Sequence, residues 1–222
     1  MRRLRKLICG FCLILAITLV HIEARADIPK DDSFLNQLVE LHLSNASVLD
    51  VLNTLSVEYR VPIGFERSLL DRRERKFNID IKGSVRTVLD SIVRQEPVYR
   101  WNITEGVINF VAIRGQDLFL ERLLKTRISR YAPKKGLNIF ELRNAIADLP
   151  EVQRLLKQHN KTVLRVSDYV YYPSIYSNKN LSLSISNTDV RGVLNMIVRD
   201  SEHKLWVLGW RDQNRSTLAL GF

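Results

Sequence analysis

Leu41-His42-Leu43-Ser44-Asn45-Ala46-Ser47-Val48-Leu49-Asp50-Val51-Leu52-Asn53-Thr54-Leu55 changes its rhythm in the middle. Up to Ser44 apolar and polar residues alternate, the period of a strand with one buried face. From Val48 onward the apolar residues Val48, Val51, Leu52 and Leu55 fall three and four apart, the period of a helix with one buried face. The stretch therefore predicts a strand that turns into a helix. It returns as Leu183-Ser184-Ile185-Ser186-Asn187-Thr188-Asp189-Val190-Arg191-Gly192-Val193-Leu194-Asn195-Met196-Ile197, with Ser-Asn, Val and Val-Leu-Asn in register. A third copy, one loop residue shorter, reads Phe77-Asn78-Ile79-Asp80-Ile81-Lys82-Gly83-Ser84-Val85-Arg86-Thr87-Val88-Leu89-Asp90-Ser91-Ile92. Ser47, Ser84 and Asp189 stand just before the helical stripe. A short side-chain oxygen there accepts from the free backbone N–H groups of the first turn, so all three are predicted N-caps.

A weaker fourth copy starts at Asn138. Ile139, Leu142, Arg143 and Ile146 take the positions of Val48, Val51, Leu52 and Leu55, with Arg143 breaking the apolar pattern. A strand is expected before it, over residues 123–131. Pro150 suits a first helical turn and predicts a further short helix over 151–158. Two hairpins close the copies: 98–102 with 107–113 around Ile103-Thr104-Glu105-Gly106, and 204–210 with 217–220 around a polar turn at 211–216. The expected class is α+β, with two tandem β-α-β-β-α-β-β modules, each a small sheet with helices on one face. The first spans residues 33–114. The second spans 118–222 and carries an insert over 150–179, with Gly115-Gln116-Asp117 as the joint.

The run Val39-Glu40-Leu41-His42-Leu43, then Val48 to Leu55, Val61-Pro62-Ile63-Gly64-Phe65, Ile79 to Val85 and the hairpin from Tyr99 to Val111 resembles the secretin and TonB amino-terminal short domain. The resemblance covers residues 39–111 and, in the second half, only 181–220. It rests on a hydrophobic pattern without a ligand motif. It implies a periplasmic module that docks onto partner proteins ahead of an outer-membrane channel or receptor. No barrel follows in this sequence, so a freestanding version in tandem with a divergent copy is expected.

The amino terminus fits export. Arg2, Arg3, Arg5 and Lys6 precede an apolar run over residues 7–20, which ends near Ala24-Arg25-Ala26. That order is a secretory signal peptide, and the run is shorter than the roughly 20 residues a spanning helix needs. Cleavage after Ala26 would remove both cysteines, Cys9 and Cys12, leaving no disulfide, thiolate nucleophile or thiolate metal ligand in residues 27–222. The leader holds five of the 34 basic and one of the 24 acidic residues, so the net charge falls from +10 to +6. A modest, dispersed excess suits solubility better than dedicated nucleic-acid binding.

Catalytic motifs are absent from the sequence: no Gly-x-Ser-x-Gly elbow, no His-Glu-x-x-His, no phosphate loop, no calcium loop. His42, His159 and His203 are scattered. His42 and Asp80 sit between apolar neighbours and so fall on the outer face of their strands. No enzyme activity, cofactor or metal is expected. Two stretches are candidate partner contacts. One is the basic run Arg72, Arg73, Arg75 and Lys76, which reads otherwise as a solvated turn. The other is the tyrosine-rich stretch with Tyr169, Tyr171, Tyr172 and Tyr176, whose amphipathic rings suit contact surfaces. The function expected is a non-enzymatic periplasmic adaptor that docks an outer-membrane channel or receptor, or an inner-membrane regulator. The alternatives are a module binding nucleic acid or an anionic surface, and an unrecognised periplasmic enzyme.

Overall fold

The computed structural model describes residues 32–70, 75–132, 137–164, 181 and 184–222. The leader, Arg72, Arg73 and the four candidate tyrosines lie outside them. The chain is α+β. A single 3-10 turn, Ser33–Asn36, leads into β1, Leu38–Ala46, which runs into helix α1, Val48–Glu58. The transition follows the sequence. Asn45 takes a left-handed φ of 53°, which its short polar side chain tolerates, and its counterpart Asn187 takes 52°. That is the physical content of the repeated Ser-Asn. Ser47 Oγ then accepts from Asp50 N–H at 3.2 Å while Asp50 accepts from Ser47 N–H at 2.7 Å, a capping box.

Short β2, Ile63–Glu66, is followed by β3, Phe77–Ser84, and helix α2, Val85–Gln95, capped by Ser84. The hairpin β4, Tyr99–Thr104, and β5, Val107–Ala112, closes the half. Its turn is Glu105-Gly106, with φ of 56° and 74°, the two left-handed residues of a type I′ turn. The second half begins with a short helix α3, Leu118–Leu124, capped by Asp117. Then come β6, Arg127–Tyr131, α4, Ile139–Ala147, α5, Pro150–Gln158, and β7, Thr162–Val163. Beyond it lie β8, Ile185–Asp189, helix α6, Val190–Asp200, β9, Leu205–Trp210, and β10, Thr217–Gly221. Asp189 caps α6, accepting from Gly192 N–H at 2.8 Å. The strand expected over 123–131 is thus shorter, because Leu120, Leu123 and Leu124 form the buried stripe of a helix.

The pairing of the first half recurs in the second. β1 pairs antiparallel with β3, and β6 antiparallel with β8. β4 pairs antiparallel with β5, which takes β2 in parallel; β9 pairs antiparallel with β10, which takes β7 in parallel. The two sets of three then run on into one six-stranded sheet, β4-β5-β2-β9-β10-β7, joined where β2 meets β9 in parallel. No local pattern announces that union.

Strand alternation distributes the sheet's side chains between two cores. Ile63, Phe65, Ile108 and Phe110 pack with the apolar faces of α1, α2, β1 and β3. Trp206, Leu208, Leu218, Leu220 and Val107 pack with those of α3 to α6. The first half's helices therefore cover one face of the sheet and the second half's helices the other. β5 lies between both and is buried at all six positions. Arg143, the break in the pattern of α4, is buried with its guanidinium donating to the Leu220 carbonyl at 2.9 Å. Among the described residues no helix is long and apolar enough to cross a membrane.

Candidate partner-docking surface

Of the basic run, Arg75 and Lys76 are described, and each meets an acid of its own half. Arg75 Nη1 lies 3.4 Å from Glu96 Oε1, and Lys76 Nζ lies 3.1 Å from Asp50 Oδ2. Asp50 is held below the usual carboxylate range, chiefly by the Ser47 backbone N–H and hydroxyl, with Lys76 adding to the effect. Lys76 thus braces the capping box of α1. These pairings match the solvated-turn reading for Arg75 and Lys76.

The outer face of the β1–β3 ribbon carries charge. His42 Nδ1 is 2.8 Å from Asp80 and its Nε2 is 3.3 Å from Glu40, whose other oxygen meets Lys82 at 3.0 Å. Glu40 and Asp80 push the imidazole pKa up. All four side chains are solvated, and among the described residues no group of three or more His, Cys, Asp or Glu can hold a metal ion.

A groove of about 690 Å³ lies where α1 faces β9 and the end of β10. Leu49, Val57, Leu205, Val207 and Phe222 line it together with Arg60, His203 and Lys204. Burial is the main cause pushing His203 and Lys204 below their ordinary pKa values, and the nearby Arg60 cation adds to it. Two polar groups of the groove are bound to backbone carbonyls. Ser56 Oγ donates to the Asn53 carbonyl at 2.8 Å, and Lys204 Nζ donates to the Arg199 carbonyl at 2.7 Å.

The most specific geometry is the joint between the halves. Gly64 stands opposite Trp206 in the β2–β9 ladder, and a Cβ on Gly64 would fall inside the indole. Trp206 is fully buried, and its Nε1–H donates to Asn195 Oδ1 of α6 at 2.9 Å. Glu66, opposite Leu208, brings Oε1 to 2.7 Å from Arg191 Nη2 of α6, an ion-pair distance without the alignment of a hydrogen bond. Desolvation outweighs Arg191 and pushes the Glu66 carboxyl up.

The first half repeats part of this arrangement. Trp101 Nε1–H of β4 donates to Asp90 Oδ1 of α2 at 3.0 Å, and donor and acceptor are 11 residues apart, as Trp206 and Asn195 are. Arg86, one turn before Asp90, lies over the Trp101 ring at 5.3 Å. Asp90 and Asn195 hold the same place in the repeated helices, as do Arg86 and Arg191. The matching helix-to-tryptophan spacing was readable in the sequence; that Gly64 lies against one of the rings was not. No protein-family model, curated protein or solved structure matches the chain.

Proposed function

We propose that this chain is an exported, non-enzymatic docking protein of the bacterial envelope, built on the plan of the secretin and TonB amino-terminal short domain. The observation that carries the reading is the β2–β9 joint. The two halves hold one another through a strand laid along a sheet edge, where backbone pairing supplies the hold and a few side chains set the register. A module organised in this way captures partners by the same means. Its partner is an envelope protein: an outer-membrane channel or receptor, or an inner-membrane regulator. The apolar run before Ala26 supports delivery to the periplasm, and the engagement of Ser56 and Lys204 by backbone carbonyls supports a binding role for the groove. The test is photo-crosslinking of the full chain in cells, followed by identification of captured proteins. Recovery of one specific envelope protein is expected. Recovery of none, or turnover of a substrate by the purified chain, overturns the reading.

A further inference from the structure

We infer that the outer edge of β4, backed by Trp101, Arg86 and Asp90, is a partner-strand acceptor that takes a short parallel strand with glycine opposite Trp101 and a carboxylate two residues further on. This rests on the docking role proposed above and names the place and the chemistry.

The second half supplies the template. β9 takes β2 along its outer edge in parallel, with Ile63 opposite Leu205, Gly64 opposite Trp206, Phe65 opposite Val207 and Glu66 opposite Leu208. Each partner residue on the helix side has a reason. Glycine is required at Gly64 because the Trp206 indole, fixed by its bond to Asn195, occupies the space of a side chain. An acid follows at Glu66 because Arg191 of α6 reaches over the strand to it.

β4 is the counterpart of β9 and carries the same fittings. Trp101 is fixed by Asp90 as Trp206 is by Asn195, and Arg86 stands where Arg191 stands. The matching partner positions follow by register. Arg100, Trp101, Asn102 and Ile103 correspond to Leu205, Trp206, Val207 and Leu208. Among the described residues no strand pairs with the outer edge of β4. Trp101 is half-buried with the Arg86 guanidinium over its ring, whereas Trp206 is fully buried with Gly64 of β2 against its indole.

The differences between the two edges define the occupant. Leu205 and Val207 become Arg100 and Asn102, both exposed, so the two partner residues facing them are polar or acidic, where β2 has Ile63 and Phe65. The incoming strand therefore reads polar, glycine, polar, acid. A second copy of this chain does not supply it: the counterpart of β2 in the second half, β7, Thr162–Val163, has no glycine and continues into Leu164, and Arg114-Gly115-Gln116-Asp117, which has the order, is fixed in a turn with Gly115 at a φ of 65° and Asp117 capping α3. Arg86 and Arg100 favour a partner strand of negative charge.

The test uses the purified full chain and a synthetic peptide with the core Thr-Gly-Thr-Glu, flanked by threonines, added to about one millimolar, the range of a weak strand contact made without avidity. Indole N–H resonances are followed by NMR, with Trp101→Phe assigning the Trp101 signal. Binding is expected to shift Trp101 and leave Trp206 in place. Valine in place of the peptide glycine abolishes it. Arg86→Glu weakens it about tenfold, and lysine in place of the peptide glutamate restores part of the loss in that variant. No shift at this concentration, a shift that ignores the glycine, or self-association blocked by Trp101→Ala overturns the inference. A cellular arm separates it from the docking role. If Arg86→Glu captures the same envelope protein as the parent chain, docking stands and the β4 assignment falls. If the peptide behaves as expected while the parent chain captures nothing in cells, the edge stands and the docking role falls.

Discussion

Trp101 and Trp206 make the same bond to the same place on equivalent helices, yet one ring is half-exposed and the other is sealed under a strand. The difference lies in what covers the edge beside them. At β9 the covering strand dries the indole, the Asn195 amide and the Glu66 carboxyl together. At β4 water reaches Asp90, Arg86 and the rim of Trp101. A hydrogen bond gains weight from leaving its partner stranded, and only the buried copy can strand it.

Four experiments break or sharpen that comparison. The largest effect belongs to Gly64→Ala, whose methyl group collides with the Trp206 indole and forces β2 off β9; a loss of about 3 kcal/mol in guanidinium denaturation is expected, at the upper end of overpacking costs. Gly83→Ala in the first half meets only Thr87 at 3.5 Å, an ordinary contact, and should be neutral or slightly stabilising. Equal losses at the two glycines would refute the joint as the point of closest fit.

Next is the acceptor of each indole. Asn195→Ala leaves the Trp206 N–H buried without its partner and should cost about 2 kcal/mol, whereas Asp90→Ala, at an exposed pair, should cost about 0.5 kcal/mol or less. The same denaturation series reads both, and a larger loss at Asp90 would reverse the ranking of the edges.

Glu66 gives a pH dependence. Desolvation raises its pKa in the folded chain, so the native state holds its proton more tightly than the unfolded state does. Stability from this group is therefore greatest below the ordinary carboxylate pKa and declines as pH rises toward the folded value. Glu66→Gln should remove that decline; an unchanged slope between acidic and neutral pH would show that Arg191 cancels the desolvation, and a steeper decline that Arg191 outweighs it.

The smallest effect lies on the solvated ribbon. Glu40 and Asp80 raise the His42 pKa, so its stabilising charge is present below the ordinary histidine range and is lost as pH rises through the folded pKa. An NMR titration of the His42 ring should give a midpoint above 6.5, while Asp80→Ala leaves the denaturation midpoint nearly unmoved.

Much of the local structure was legible because its causes are local. The caps at Ser47, Ser84 and Asp189, the helices they open, the proline start of α5 and both hairpins follow from residues within a few positions of one another. Where distant groups decide, the sequence was mute. The apolar stripe of α3 is too short to declare a helical period, and Leu123 and Leu124 read in sequence as the start of a strand. Arg143 looked like a flaw in a helix, and its reason is a carbonyl of β10. The geometry around the two indoles was half-visible. Trp101 and Trp206 share their spacing from the helices, but the role of Gly64 depends on a strand from the other half. In the basic run, charge counted along the chain conceals that Arg75 and Lys76 have acids of their own half to meet.

The shared sheet also governs how the protein can be divided. A fragment ending near Gly115 would keep most of the first core but lose α6 and β9, with Leu205 and Val207, baring one face of β5 and the whole free side of β2. Ile63, Gly64 and Phe65 would then form an uncapped, uncharged ribbon edge, the kind of surface on which polypeptides recruit their own kind into aggregates. Laboratories expressing the halves separately should expect insoluble material from the first, and co-expression of the second to rescue it.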